Sequence, residues 1–238
     1  QVVKEQASYF DTIAFKDFNL GVKTQPQYLP NVISQIPNKA DWQEFNKRYL
    51  NLEAYIDFYT GLPTLVNNIS IPWVSGNPFD SFQWVSMDNK AKKFIKENWG
   101  IFRNLPLEYL VLNEERSGPF GEDGYLWFVD YDFVYQGVPI EGARVVFRCN
   151  HGKLIQFGVE GLINFNDGIQ KVLNPIPNID NNTALEIAFN YAGGFNPKLD
   201  TIVNQGTLKF IPRLKGNGGN FTFEYPLVWE VAFQRQGI

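Results

Sequence analysis

The chain has 238 residues, of which 44% are hydrophobic and 16% aromatic, and its formal net charge is −4. This length can bury a core without a disulfide or a metal, and the scattered lysines and arginines exclude the basic patch that nucleic-acid binding requires. The apolar runs are far shorter than the ~20 residues of a membrane-spanning helix, so we expect no membrane span. Because the aromatic excess favours half-buried strands, we predict an α+β fold with antiparallel sheets, each packed by a helix.

The N-terminal part of the sequence lacks a regular period. Three prolines interrupt residues 1–40, which we therefore predict to be an irregular arm. From residue 41 the pattern changes to a helical turn carried by Trp42, Phe45 and Tyr49, followed by an alternating strand. These residues open the first predicted domain, residues 41–165.

The middle of the chain combines one helix with a series of strands. A 3.6-residue apolar period predicts a helix from about Asn89 to Trp99, with Asp88 as its N-cap. Residues 125–135, 143–149 and 154–159 then have the composition and alternation of strands. We expect one face of the helix to pack on the sheet that these strands form.

A proline-rich and asparagine-rich break at residues 164–182 predicts a domain boundary. The second predicted domain, residues 180–238, opens with a helix that a capping box at Thr183–Glu186 would start. Two strands follow at residues 207–214 and 221–233, linked by a glycine-rich turn at residues 216–219. The apolar stripe of the helix consists of Ala184, Ile187, Ala188 and Tyr191.

Two short connections flank the strand at residues 143–149. Tyr135, Gln136, Gly137, Val138, Pro139 and Gly142 lie before it, and Asn150, His151 and Gly152 follow it. This motif resembles the FTP module in the propeptides of thermolysin-like and fungalysin-like zinc metallopeptidases. We interpret its glycines and proline as residues that shape the backbone, either by allowing tight turns or by allowing two segments of backbone to approach closely.

Two further segments carry the resemblance beyond this motif. The stretch Asp57–Pro63 is similar to the Asp-x-x-Thr-Gly strand end ahead of FTP modules. The helix and hairpin of residues 180–238 resemble the PepSY module, of cystatin-like fold, that usually follows, but stop before its last strand. The resemblance implies a non-catalytic pro-region of a metallopeptidase that is secreted, extracellular or periplasmic, acting as intramolecular chaperone and inhibitor.

A different class of function fits the same sequence. The chain is alternatively a secreted structural subunit that binds copies of itself, with the N-terminal arm completing the sheet of a neighbour. In both cases the partner is a protein, either the cognate peptidase domain or a second copy. Three N-glycosylation sequons, at Asn68, Asn181 and Asn220, lie in predicted turns or loops and agree with secretion.

The sequence offers no set of residues that we predict to be catalytic, metal-binding or cofactor-binding. A thermolysin-like zinc site needs two histidines four residues apart on a helix, and His151 is the single histidine. Cys149 with His151 would supply two ligands of the four that zinc takes. The remaining candidates are better interpreted as solvated faces, core or turns. These are the carboxylate pairs Asp130 with Asp132, Glu114 with Glu115 and Glu122 with Asp123, a calcium ligand at Asp167, and the Gly216–Gly219 turn.

Overall fold

The computed structural model describes residues 26–58, 60–73, 84–120, 125–161, 173–215 and 222–235. The chain divides into two compact units, a large unit of residues 23–171 and a small unit that combines residues 1–22 with residues 172–238. Helices and antiparallel strands occur in both. The prediction of an α+β fold is therefore confirmed.

The large unit contains the first nine strands and the first three α-helices of the described chain. Its strands are β1 (Pro26–Tyr28), β2 (Glu53–Asp57), β3 (Pro63–Asn67), β4 (Ile71–Pro72), β5 (Leu110–Leu112), β6 (Gly118–Phe120), β7 (Leu126–Tyr135), β8 (Val138–Asn150) and β9 (Lys153–Glu160). Its helices are α1 (Leu29–Val32), α2 (Lys39–Arg48) and α3 (Trp84–Glu97), with a 3-10 turn at Leu107–Tyr109.

One antiparallel sheet organises the large unit. Its strand order is β1-β2-β3-β9-β8-β7, with β4 paired to β9 and both β5 and β6 paired to β7. Strands β7, β8 and β9 form a meander in which each connection has two residues. Val66 of β3 pairs with Phe157 of β9, so the N-terminal strands join the sheet through β9. A side chain at Gly158 would lie 2.5 Å from the carbonyl oxygen of Thr64, which shows how closely these strands approach.

Aromatic side chains from helices and sheet form the core of the large unit. Trp127, Val129, Tyr131 and Phe133 are all buried, as the alternation along β7 predicts. The ring of Phe94 in α3 lies 6.1 Å from Phe147 of β8 and 5.2 Å from Phe157 of β9. Phe45 of α2 reaches Phe157 at 6.0 Å. Each such ring contributes about 1.5–3 kcal/mol by its burial.

Two expectations about the large unit were wrong. The arm is not irregular throughout, because β1 pairs with β2, α1 follows it, and Tyr28 packs on Tyr55 at 5.6 Å. Residues 1–25 lie outside the described residues. Asp88 is not a helix cap, since α3 already includes Trp84. Its carboxylate instead accepts hydrogen bonds from Lys92, one turn further on, and from the Tyr131 hydroxyl of β7.

In the part of the small unit that the structure describes, a helix packs on a pair of antiparallel strands. Its elements are α4 (Asn181–Tyr191), β10 (Asp200–Phe210), β11 (Arg213–Lys215), β12 (Thr222–Glu224) and β13 (Leu227–Arg235). Strands β10 and β13 pair antiparallel, and β11 pairs with β12. The ribbon is longer than predicted, because an ion pair between Asp200 and Arg235 and the pair of Ile202 with Phe233 extend it past the bulge near Asn204.

The start of α4 also differs from the expectation. Asp180, not Thr183, is the N-cap, and its Oδ1 accepts a 2.8 Å hydrogen bond from the Thr183 backbone N–H. This bond stabilises the charged carboxylate and lowers the pKa of Asp180. The predicted capping box at Thr183–Glu186 is wrong, since Asp180 supplies the cap oxygen one turn earlier.

Candidate protein-binding site

The family-like motif forms two tight hairpin turns, one at each end of β8. Gln136 and Gly137 connect β7 to β8 with φ of 48° and 83°, and His151 and Gly152 connect β8 to β9 with φ of 47° and 73°. Two consecutive positive φ values are typical of the type I′ turn, which matches the twist of paired strands. Gly142, at φ 70°, lies where the register between β7 and β8 shifts. These residues set the shape of the sheet.

The Asp57–Gly61 segment is a turn that fastens α2 to the sheet. The Asp57 Oδ1 atom accepts hydrogen bonds from the backbone N–H and the hydroxyl of Thr60, both at 2.9 Å. The carbonyl oxygen of Gly61 accepts from Trp42 Nε1 at 3.0 Å and from Asn38 Nδ2 at 3.2 Å. Gly61 has a φ of 73°, and a side chain there would collide with Asn38. The conformation of this turn is therefore set by its neighbours.

The candidate carboxylates of β7 are engaged in ion pairs. Asp130 is buried and paired with Arg148, while Asp132 binds Arg116 and accepts from Asn113 Nδ2 at 2.7 Å. Each carboxylate is therefore held by its own arginine. Glu114 and Glu115 are exposed in a turn.

Cys149 and His151 lie in different environments. Cys149 is buried in the core, and burial raises the pKa of its thiol to about 12. His151 is exposed and stacks on Tyr125 at 4.6 Å. A shared zinc site between them is therefore not formed. Across the described ranges, no three His, Cys, Asp or Glu side chains come together in a way that would hold a metal ion.

Several predicted features cannot be placed in the fold. Glu122, Asp123, Asp167, the Gly216–Gly219 turn and Asn220 lie outside the described residues. Of the other sequons, Asn68 is exposed in a bend, whereas Asn181 is the first residue of α4 and not in a loop. Every helix in the described part of the chain is too short or too polar to cross a membrane.

The small unit carries an apolar groove along the outer side of β13. It has a volume of about 810 Å³ and is bounded by α4, by residues 174–179 and by residues 225–231. A second depression, of about 520 Å³, shares Ala188, Tyr191 and Val231 with it and continues to Arg235. No described residue of β10 lines either one. We call the two together the β13 groove.

The helical wall of the β13 groove is the predicted apolar stripe of α4. All four stripe residues line it, and of these Ala184 is buried and Ala188 is half-buried. Ile187 is 55% exposed and Tyr191 is 50% exposed. Ile176 and Ile179, at 73% and 41%, add to the same apolar surface. Exposed large apolar side chains that cluster in this way mark an interaction surface.

The floor of the β13 groove is the edge of a strand. Among the described residues β13 pairs with β10 alone, so one row of its backbone N–H and C=O groups has no strand partner there. Such an edge can accept an extended segment as a further strand. The sequence Leu227–Arg235 has no proline and no lysine, the residues that usually block an edge.

An ion pair fixes the far end of β13. Arg235 binds both oxygens of Asp200, at 2.6 and 2.8 Å, and donates to the carbonyl oxygen of Gly194 at 2.7 Å. The Asn196 backbone N–H adds a third bond to the Asp200 carboxylate. These contacts lower the pKa of Asp200 to about 2, with the bond from Arg235 as the largest cause. The strand edge is thus held in a defined position against the end of α4.

Sequence reasoning identified the apolar stripe of α4 but did not predict the β13 groove beside it. The sequence feature that could have revealed it is the width of the apolar stripe of α4, compared with the number of strands on which the helix packs. A helix that packs on two strands can cover only part of a stripe that spans Ala184 to Tyr191. The excess apolar surface then has to face a partner or solvent.

Comparisons of this chain with protein-family models, with curated proteins and with solved structures gave no match.

Proposed function

We propose that the chain is a non-catalytic pro-region of a secreted or periplasmic zinc metallopeptidase, and that it acts as intramolecular chaperone and inhibitor. The sequence motif at Tyr135–Gly142 supports this proposal, as does its geometry of a tight hairpin beside a β-bulge. The described residues contribute ion pairs and packing at the candidate positions, which fits a binding role.

The observation that carries the proposal is the β13 groove. A pro-region must bind a folding polypeptide. This groove combines exposed Ile187 and Tyr191 with a strand edge that has no strand partner among the described residues. Backbone hydrogen bonds along an edge give affinity, and apolar contacts beside it give selectivity. A covalent connection to the peptidase adds an effective concentration of about millimolar, so modest intrinsic affinity suffices for inhibition.

The test uses the chain added to the mature peptidase of its own precursor. We expect inhibition at micromolar concentration, which corresponds to about −8 kcal/mol. Ile187→Asp places a charge in the β13 groove and should weaken inhibition by about tenfold or more, equal to 1.4 kcal/mol. Val203→Asp is the matched control, because Val203 is 69% exposed on β10 and outside the groove.

The chaperone activity has its own readout in the same system. Denatured peptidase diluted from urea should recover activity only when the chain is present, and Ile187→Asp should reduce the yield more than Val203→Asp. Lack of inhibition at high micromolar concentration, with no gain in refolding yield, would contradict the proposed function. Equal effects of the two variants would place the binding surface elsewhere on the chain.

A further inference from the structure

The β13 edge is chemically suited to pair with itself. When two copies of Leu227–Arg235 align antiparallel about Val231, each residue faces one of the same parity, so both α4 helices lie on one side of the sheet. Trp229 then lies opposite Phe233 of the second copy. Aromatic pairs of this kind stabilise antiparallel strands.

Charge favours this register over its nearest alternative. Centred on Val231, the alignment places Glu230 opposite Ala232, and no two like charges face each other. A slip that centres the pair on Glu230 would place two carboxylates directly opposite, which is destabilising. Glu230 is held by Lys209 of the neighbouring strand at 2.8 Å, so its position is defined.

The exposed apolar side chains of α4 would contact the strand that the second copy adds. A second copy would add its own β13 beside the edge of β13 that has no strand partner among the described residues. Ile187 and Tyr191 of each copy border the new strand, because they line the space beside the β13 edge.

We infer that two copies of this chain associate through antiparallel pairing of their β13 edges, centred on Val231, with the α4 helices covering the junction. The pairing adds about eight backbone hydrogen bonds over nine residues. It needs neither the peptidase of the proposed function nor the N-terminal arm. A second copy and a peptidase would occupy the same groove, so the two complexes exclude each other.

Light scattering across a concentration series gives the first test on the full 238-residue chain. The particle mass should rise from 27.3 kDa towards twice that value as the concentration increases. A particle that stays at 27.3 kDa up to several hundred micromolar would overturn the inference.

A cysteine at the symmetry centre tests the register. Directly opposite residues on antiparallel strands have Cα atoms about 4.5–5.5 Å apart, which suits a disulfide. Oxidised Val231→Cys should therefore run as a covalent dimer, while Val203→Cys, on β10, should stay largely uncrosslinked. The native Cys149 does not interfere, because it is buried. Equal crosslinking of the two variants would refute the register.

Two variants of opposite charge distinguish a loss of dimerisation from a loss of folding. Val231→Lys and Val231→Glu should each be monomeric, because identical charges then meet at the centre, and an equimolar mixture should recover a heterodimer. A dimer that survives in both single variants would show that another surface is used. Two well-folded variants that remain monomeric when mixed would also overturn the inference.

Discussion

The turn at Gly137 gives the most direct test of how the family-like motif shapes the sheet. Gly137 has a φ of 83°, and a Cβ atom there would have no atom within 4 Å. A substitution is therefore not opposed by crowding, and its whole cost comes from the backbone. For a residue with a Cβ atom the left-handed conformation costs roughly 1–2 kcal/mol, and a β-branched side chain fits it worst.

This cost converts into a shift of the melting midpoint. For a unit of this size 1 kcal/mol lowers the midpoint by about 2–4 °C, so Gly137→Val should lower that of the large unit by about 2–8 °C. Gly137→Asn is the matched control, because asparagine tolerates left-handed φ and should lose little. Thermal unfolding followed by circular dichroism measures both variants under the same conditions.

The difference between the melting midpoints of the two variants tests whether the positive φ at Gly137 causes the loss of stability. If the valine and asparagine variants melted within about 1 °C of each other, the cost would not come from φ. The turn would then have relaxed to another type, and the register of β8 against β7 would no longer depend on Gly137.

Three further predictions concern other parts of the chain. Gly158→Ala should destabilise the large unit by about 1–3 kcal/mol in urea unfolding, because its methyl group would meet the Thr64 carbonyl oxygen at 2.5 Å; an unchanged midpoint would contradict that close approach. The pKa of Asp200 is lowered from 3.8 to about 2. The stability that its carboxylate contributes is therefore present above pH ~4 and is lost as the pH falls towards 2. Asp200→Asn should thus have a lower melting midpoint than the native chain at pH 7, and the difference between the two midpoints should be smaller at pH 3. The chain with added zinc should leave casein and small esters uncut, and turnover that His151→Ala abolishes would refute this.

Local chemistry explains which parts of the fold the sequence predicts well. The turns at Gln136-Gly137 and His151-Gly152 follow from residues that accept positive φ between two strands. The inner face of β7 follows from simple alternation, and all its predicted inward residues are buried. Each of these predictions needs only neighbours within a few residues.

Contacts between distant residues account for what the sequence did not predict. Asn38 Nδ2 donates to the carbonyl oxygens of Gly61 and Gly100, 23 and 62 residues away, and no local pattern marks an asparagine for that position. Asp88 was predicted to be a helix cap from its local sequence alone. Its hydrogen-bond partner Tyr131 lies 43 residues away, and the local sequence does not indicate that contact. The exposure of Ile187 depends on the number of strands beneath α4, which periodicity does not report.

The route by which the sheet closes has a consequence for the chain during synthesis. Strand β3 gains its second neighbour only when Phe157 of β9 meets Val66, since β9 is the strand of the meander that pairs with β3. At about 5–20 residues per second, Phe157 is made roughly 5–20 s after Val66. Strands β1, β2 and β3 can pair with one another in that interval, but the rest of the sheet is not yet available to them.

The meander of β7, β8 and β9 can form soon after it is made, because its turns have two residues each. Closure of the sheet onto β3 then waits for a loop of about 90 residues to bring its ends together, which costs more entropy than either turn. A ribosome that stalls before β9 would therefore hold a nascent chain whose buried positions Ala54, Ile56 and Val66 are still uncovered. That nascent chain is the stage at which this protein most needs a general chaperone.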